Sequence, residues 1–197
     1  MSIATTGVRI KVTLAHVQPE VKRVLAVPLG IRLDRLHLTL QAAFGWTNSH
    51  FYLFHADGEN WGIPDPDFFE HMSDARKTRL YDVVRDTGAK TIRYIYDFGD
   101  NWEHVIKLEK WVRNTVTEGL PCLLAATGRC PPEDAGGPPG YEHMLAALRD
   151  PAHPEHAHYV GWIGGDFDPK ALDLKALEAA VETLANKWRP KPRKTVH

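Results

Sequence analysis

The run Tyr94-Ile-Tyr-Asp-Phe-Gly-Asp-Asn-Trp-Glu-His104 places two carboxylates, Asp97 and Asp100, with the Trp102 indole and the His104 imidazole around one Gly-centred turn. None of these groups helps a hairpin to form. Two oxygen ligands and one nitrogen ligand suit a divalent cation, and such a set leaves coordination positions open to water. The same residues also have a structural use. Asp97 and Asn101 can accept hydrogen bonds from turn amides, and Gly99 can take a positive φ. Trp102 would then be core and His104 an ordinary strand residue. The residue types leave both readings open.

A second constellation is Gly128-Arg-Cys-Pro-Pro-Glu-Asp-Ala-Gly-Gly137. Pro131 and Pro132 stiffen the backbone, so Glu133 and Asp134 are held at a fixed point. A preorganised acidic pair serves a metal or a cationic partner. It serves equally to cap backbone amides or the helix that starts near Gly140. Cys130 adds a thiol, but the chain has no Cys-x-x-Cys and no zinc-type His pair. A divalent metal ion is therefore the only cofactor these residues suggest, with Asp97, Asp100, His104, Cys130, Glu133 and Asp134 as its candidate ligands. The histidines His143, His153, His156 and His158 do not share one helical face and read as exposed residues. His37, His50 and His55 read as core-edge or capping residues. Gly164-Gly165 lacks the strand–GxGxxG–helix context of a dinucleotide site. Ser2, Ser49 and Ser73 are the only serines, and no Gly-x-Ser-x-Gly elbow is present, which excludes the familiar serine-hydrolase pattern.

The elements that must carry these groups follow from hydrophobic periodicity. Val8 to Leu14 alternates with period two, and Val21 to Val27 gives a second strand after the Gln18-Pro19 turn. Leu33, Leu36, Leu40 and Phe44 fall at helical spacing, and Gly45 stops that helix, which spans residues 31–44. Phe51 to His55 is a third strand bounded by Asp57-Gly58. Residues 58–78 read as a long loop, and Leu80, Val83 and Val84 as a short helix ending near Gly88. Thr91 to Tyr96 and His104 to Val112 form an antiparallel pair, because the turn between them is too short for a crossover. Residues 121–140 read as a Pro/Gly-rich loop. Tyr141, Leu145 and Leu148 give a helix stopped at Asp150-Pro151. Asp168-Pro169 resembles a helix start ahead of the stripe Leu174, Leu177, Val181, Leu184. The expectation is an α+β domain over residues 1–186. Its antiparallel or mixed sheet has about five strands, with helices packed mainly on one face.

The chain has 197 residues, 43% hydrophobic and 25% charged, an ordinary globular composition. No apolar run approaches the ~18 residues of a membrane helix, and the N-terminus lacks a secretory pattern, so a cytoplasmic location is expected. Cys122 and Cys130 fit a reducing compartment; their spacing allows a disulfide without requiring one. The net charge of −1 gives no global field for nucleic acid. Lys187 to His197 is basic and reads as a disordered arm.

The chain resembles the plasmid Ri open-reading-frame-three-like proteins, some of which carry a resolvase-like, insertion-element passenger label. The resemblance rests on Gln41-Ala-Ala-Phe-Gly-Trp46, Asn48-Ser-His50, Tyr96 to His104, Cys130 to Gly137, Gly140-Tyr141 and Phe167-Asp-Pro169. It implies that the turn at 97–104 and the loop at 130–137 are the family's signature, without implying that they are catalytic. Members of the group often carry a cysteine near position 135, where this chain has Ala135; that weakens a thiolate-rich metal site. A recombinase activity finds no support in the residues, since no tyrosine or serine recombinase arrangement is visible.

The expected function is an accessory binding module of plasmids or mobile elements. Asp97, Asp100, Trp102, His104, Glu133, Asp134, Tyr141 and Trp162 would form its recognition surface, because exposed aromatic residues anchor interfaces. A protein is the expected partner. Nucleic acid is a weaker one, reached through the basic arm with Arg76, Lys77 and Arg79. The alternative is a metal-assisted hydrolase that uses the carboxylates and His104 of the same two loops. No complete catalytic pattern is present, so the reading leans away from an enzyme. Both versions require the two loops to meet in space.

Overall fold

Val8, Ile10, Val12 and Leu14 are buried while Arg9, Lys11 and Thr13 between them are not, so β1 (Gly7–Leu14) turns one edge of its pleat to the core. A computed structural model describes residues 6–65, 72–112 and 119–189. The strands are β1, β2 (Lys22–Pro28), β3 (Tyr52–Ala56), β4 (Glu59–Gly62), β5 (Met72–Asp74), β6 (Thr91–Tyr96), β7 (Trp102–Val112) and β8 (Cys122–Thr127). The helices are α1 (Leu33–Phe44), α2 (Leu80–Thr87), α3 (Gly137–Arg149), α4 (His156–Ile163) and α5 (Leu174–Trp188).

The strands form one eight-stranded mixed sheet, in the order β5-β4-β3-β6-β7-β1-β2-β8. Every neighbouring pair is antiparallel except β4 and β5. Tyr52, Phe54, Tyr94, Tyr96, Trp102, His104 and Ile106 face the core. The opposite face carries the cross-strand pairs Arg93–Glu103 at 2.9 Å and Arg9–Glu109 at 3.0 Å. This one-sided burial is what an antiparallel sheet with helices on a single face requires. Helix α1 buries Leu33, Leu36, Leu40 and Phe44, the stripe read from the sequence, and Gly45 closes it with φ 84°. Helix α5 packs on α1 and on β8.

The α+β class holds, but the sheet has eight strands among the described residues, not about five. Asp57-Gly58, read as the end of a strand, is the turn of a β3–β4 hairpin with both residues at positive φ (49° and 81°). Such a pair is the usual signature of a two-residue hairpin turn. The supposed loop at 58–78 therefore contains β4 and β5. Strand β5 has only three residues, too few to show a pattern, and packs tightly because a Cβ on Gly62 would meet the Met72 sulfur at 2.5 Å. The supposed loop at 121–140 contains β8, an edge strand with one buried side chain, Leu123. Helix α4 was not visible as a helix at all; it buries no residue. Helix α5 starts later than Asp168-Pro169: its cap is Asp173, which accepts a hydrogen bond from the Ala176 amide. It runs through Lys187 and Trp188, so the basic arm does not begin at 187; residues 190–197 lie outside the described residues. Cys122 and Cys130 are free thiols. No described helix is long and apolar enough to cross a membrane.

Candidate functional site

The segment after α1 is held by side chains instead of a regular element. Trp46 donates its indole N–H to the Pro131 carbonyl at 3.0 Å. The Asn48 amide donates to Gln41 Oε1 at 3.0 Å, and the Ser49 amide donates to the Tyr96 hydroxyl at 2.9 Å. His37 lies stacked on Tyr52 and bridges Tyr94 Oη and Asn48 Oδ1, at 2.8 and 2.5 Å. Burial pulls its pKa down to about 4, so the ring is neutral; Nε2–H then donates to Asn48 and Nδ1 accepts from Tyr94. These contacts fix the path that delivers His50.

The β6–β7 hairpin supplies Asp97. Tyr96 pairs with Trp102, and the Asn101 amide donates to the Asp97 carbonyl at 2.6 Å. Asp97 Oδ1 accepts from the Gly99 amide at 2.9 Å, an Asx turn. The positive φ values fall on Asp97 (58°) and Asn101 (54°), whereas Gly99, the expected site, has none. The Asp97 amide donates to the Phe51 carbonyl at 2.9 Å, which ties the turn to the residue next to His50.

The stiffened loop lies against this turn, as both functional readings require. Two of the four candidate carboxylates are used to fasten it. The Tyr96 hydroxyl donates to one oxygen of Glu133, in a short hydrogen bond. The other oxygen accepts from the Thr47 amide at 3.1 Å and from the Thr47 hydroxyl. From the opposite side, Asp100 Oδ2 accepts from the Gly136 amide at 3.1 Å. A Cβ on Gly137 would meet the Asp100 carbonyl oxygen at 2.3 Å, so the two backbones touch where only glycine fits.

The remaining pair, Asp97 and Asp134, converges on His50. His50 Nε2 lies 3.6 Å from Asp97 Oδ2 and 3.2 Å from Asp134 Oδ1. The three ligand atoms lie within 4.8 Å of one another, the one such group of three metal-binding side chains among the described residues. Nε2 is shielded from solvent, yet it forms no hydrogen bond of acceptable geometry with either carboxylate. Donor atoms around an octahedral ion bound at roughly 2.1 Å sit about 3 Å apart. The two nitrogen–oxygen separations are already close to that spacing. Asp97 is buried, His50 partly buried, and Asp134 exposed, so the cluster opens to solvent on one side. Asn48 (φ 61°) and Asp134 (φ 60°) join Asp97 and Asn101 as non-glycine residues in left-handed backbone around it. Strain of this kind is concentrated at functional sites.

Other sequence candidates fall elsewhere. His104 is not a ligand. It sits on the core face of β7 beneath Phe44 and Trp46, with Nδ1 3.0 Å from the Trp102 carbonyl, and burial lowers its pKa to about 3. Trp102 and Tyr141 are core residues, fully or almost fully buried, and cannot form a recognition surface. Cys130 is half-buried at the cavity wall, and desolvation pushes its thiol up, which disfavours a thiolate ligand. Asp100 and Glu133 are latches instead of free donors. Trp162 is exposed but lines a different cavity. Of the histidine group, His143 pairs with Glu155, and His156 Nδ1 meets the Ala147 carbonyl at 2.9 Å. His50, which the sequence suggests as a core-edge or capping residue, stands in the cluster instead; its place in Asn48-Ser-His50, directly after the α1 stop, is the signal for it.

The fold and site together define an α+β protein whose mixed sheet presents a His–Asp–Asp cluster at the seam of two loops. The chain belongs to the plasmid pRiA4b ORF-3-like protein family, whose model matches residues 6–176. It is 52% identical over 188 residues to the uncharacterized protein y4hQ of Sinorhizobium fredii (strain NBRC 101917 / NGR234), covering 95% of this chain and 96% of that one. Among solved structures it is similar to MM3350, a protein of unknown function from Methanosarcina mazei Go1, with a TM-score of 0.77 and 30% identity. That match covers 86% of this chain and 96% of the other.

Proposed function

We propose that this protein is a divalent-cation-binding module in which His50, Asp97 and Asp134 hold the ion. The observation that carries the reading is the His50 nitrogen, shielded and without a hydrogen bond, between Asp97 Oδ2 and the Asp134 carboxylate; the turn amides take only the other Asp97 oxygen. One imidazole and two carboxylates favour a borderline or hard ion such as Mn²⁺, with Zn²⁺ as competitor. Three protein ligands leave coordination positions for an oxygen donor from a partner. Phe51 and Phe98, the neighbours of His50 and Asp97, are exposed and stacked with centroids 6.4 Å apart. An ion beside an exposed aromatic pair suits recognition of a protein segment that carries a carboxylate. This keeps the recognition surface of the two loops, with His50 in place of His104. Metal-assisted hydrolysis is less well supported, because Asp100 and Glu133 are engaged and leave no adjacent carboxylate free as a general base.

The test is thermal unfolding with and without MnCl₂, alongside elemental analysis of untagged protein. At a hundredfold excess over Kd the ion contributes about 2.7 kcal/mol. For a chain of this length that raises Tm by roughly 5–10 °C. D97N combined with D134N should abolish the shift. No shift with millimolar Mn²⁺, Zn²⁺ or Mg²⁺, and no metal in the purified protein, would exclude the reading.

A further inference from the structure

A cavity of about 970 Å³ lies apart from the cation cluster: none of His50, Asp97 or Asp134 lines it. Its walls include Phe44, Trp46, Trp162 and Phe167, and two arginines, Arg23 and Arg129, line it as well. Arg23 projects from the core face of β2 and is fully buried. Its Nε donates to the Ala43 carbonyl at 2.6 Å, and its Nη1 to the carbonyls of Lys22 and Thr127 at 2.8 Å and of Gly128 at 3.1 Å. The guanidinium lies 4.9 Å from the Phe44 ring centroid. Nη2 is buried and has no partner. Carbonyl oxygens carry partial charges only, so a full positive charge stays uncompensated inside the protein, a costly arrangement. Cys130, close by, cannot supply the counter-charge, because burial keeps its thiol protonated.

Arg129 is the second cation. It is half-buried, sits 4.3 Å over the Phe167 ring and has no carboxylate partner among the described residues. The carboxylates that line the cavity are already engaged. Glu133 is held by Tyr96 and Thr47, and Asp173 caps α5. They match the two guanidinium groups in number, so the cavity suits a monoanion better than a dianion. The volume is that of a small-molecule site, and the walls are aromatic.

We propose that this cavity binds a small aromatic carboxylate. Its ring lies among Trp46, Trp162 and Phe167. Its carboxylate is gripped by Arg129, the accessible guanidinium, and sits in the field of buried Arg23, which acts through charge and not by contact. A phosphate ester is disfavoured by Glu133 and Asp173.

The experiment titrates the full chain, in EDTA, with 2-naphthoate, its neutral analogue 2-naphthylmethanol and 2-naphthyl phosphate, followed by calorimetry and tryptophan fluorescence. Naphthoate should saturate at one per chain and bind at least about tenfold tighter than the alcohol, as a charge-assisted hydrogen bond implies. It should also bind more tightly than the phosphate. R129Q, on a half-buried side chain, should keep the wild-type Tm and alcohol affinity but lose the preference for the acid. D97N combined with D134N should bind naphthoate as wild type does, which separates this site from the cation cluster. Equal affinities for acid and alcohol, a preference that survives R129Q, tighter binding of the phosphate, or no saturation by millimolar naphthoate would overturn the proposal.

Discussion

Replacing Tyr96 by Phe removes one oxygen from the seam between the two loops. That oxygen donates to Glu133 and accepts from the Ser49 amide at 2.9 Å. A hydrogen bond to a charged group contributes about 1.5–3 kcal/mol and a neutral one about 1 kcal/mol. Glu133 is only half-buried and regains some water, so the lower end applies to it, and the loss should be about 2 kcal/mol. For a chain of this length Tm should fall by roughly 4–8 °C. The effect should be coupled: E133Q measured alone and with Y96F should give less than the sum of the single losses. It should also reach the cation cluster, because Glu133 fixes the backbone that presents Asp134. Loss of a positioning contact next to a ligand typically weakens metal affinity by about 10- to 100-fold. Thermal unfolding and Mn²⁺ titration of the same variant read both outcomes. A Tm change below about 1 °C with unaltered Mn²⁺ affinity would refute the latch.

Gly137→Ala should be more damaging, at about 2–4 kcal/mol, because its Cβ collides with the Asp100 carbonyl at 2.3 Å and its φ is +68°; a urea midpoint within error of wild type would contradict the close approach. Acid should destabilise the protein through His37 and His104, whose folded pKa values are depressed to about 4 and about 3. Folding then excludes protons that the unfolded imidazoles bind below about pH 6.5, so this contribution is complete above that pH and declines as pH falls toward 4. With both groups fully engaged the slope approaches about 2.7 kcal/mol per pH unit, and flat urea midpoints between pH 6.5 and 4.5 would count against it. Arg93→Ala on the open sheet face should cost no more than about 1 kcal/mol despite its 2.9 Å contact to Glu103, since exposed pairs are weak; a loss above about 2 kcal/mol would mean that this face is covered.

Helix α1 was fully legible because its pattern is local: Leu33, Leu36, Leu40 and Phe44 lie on one stripe, and Gly45 supplies the left-handed stop. The β6–β7 pair was legible for the same reason. Strand β8 was not, because an exposed edge strand shows no apolar alternation, and β5 owes its place to contacts made by the chain around Gly62 and Ala75. Within the site, the acidic groups were visible but their division of labour was not. Asp100 and Glu133 are latches, and Asp134 and one oxygen of Asp97 remain for an ion, only because of which amides and hydroxyls the fold brings near them. Of the two readings open for His104, the structural one holds, and its phase carries the signal: it shares a face with Trp102 and Ile106, two residues away on either side, and that face is the core.

Asn48, Asp97, Asn101 and Asp134 occupy left-handed backbone that glycine would adopt more cheaply. At two of these four positions the same side chain is also a proposed ligand. Exchange for glycine would relax the chain and delete the donor in one step; exchange for a longer acid would keep the charge and strain the chain further. Conformational ease and ion affinity therefore pull in opposite directions at Asp97 and Asp134, so any engineered gain in robustness there comes at the expense of occupancy. That narrows the routes by which this corner can change: new chemistry must enter through neighbours such as Thr47, Ser49 and Phe98, whose backbones carry no such demand.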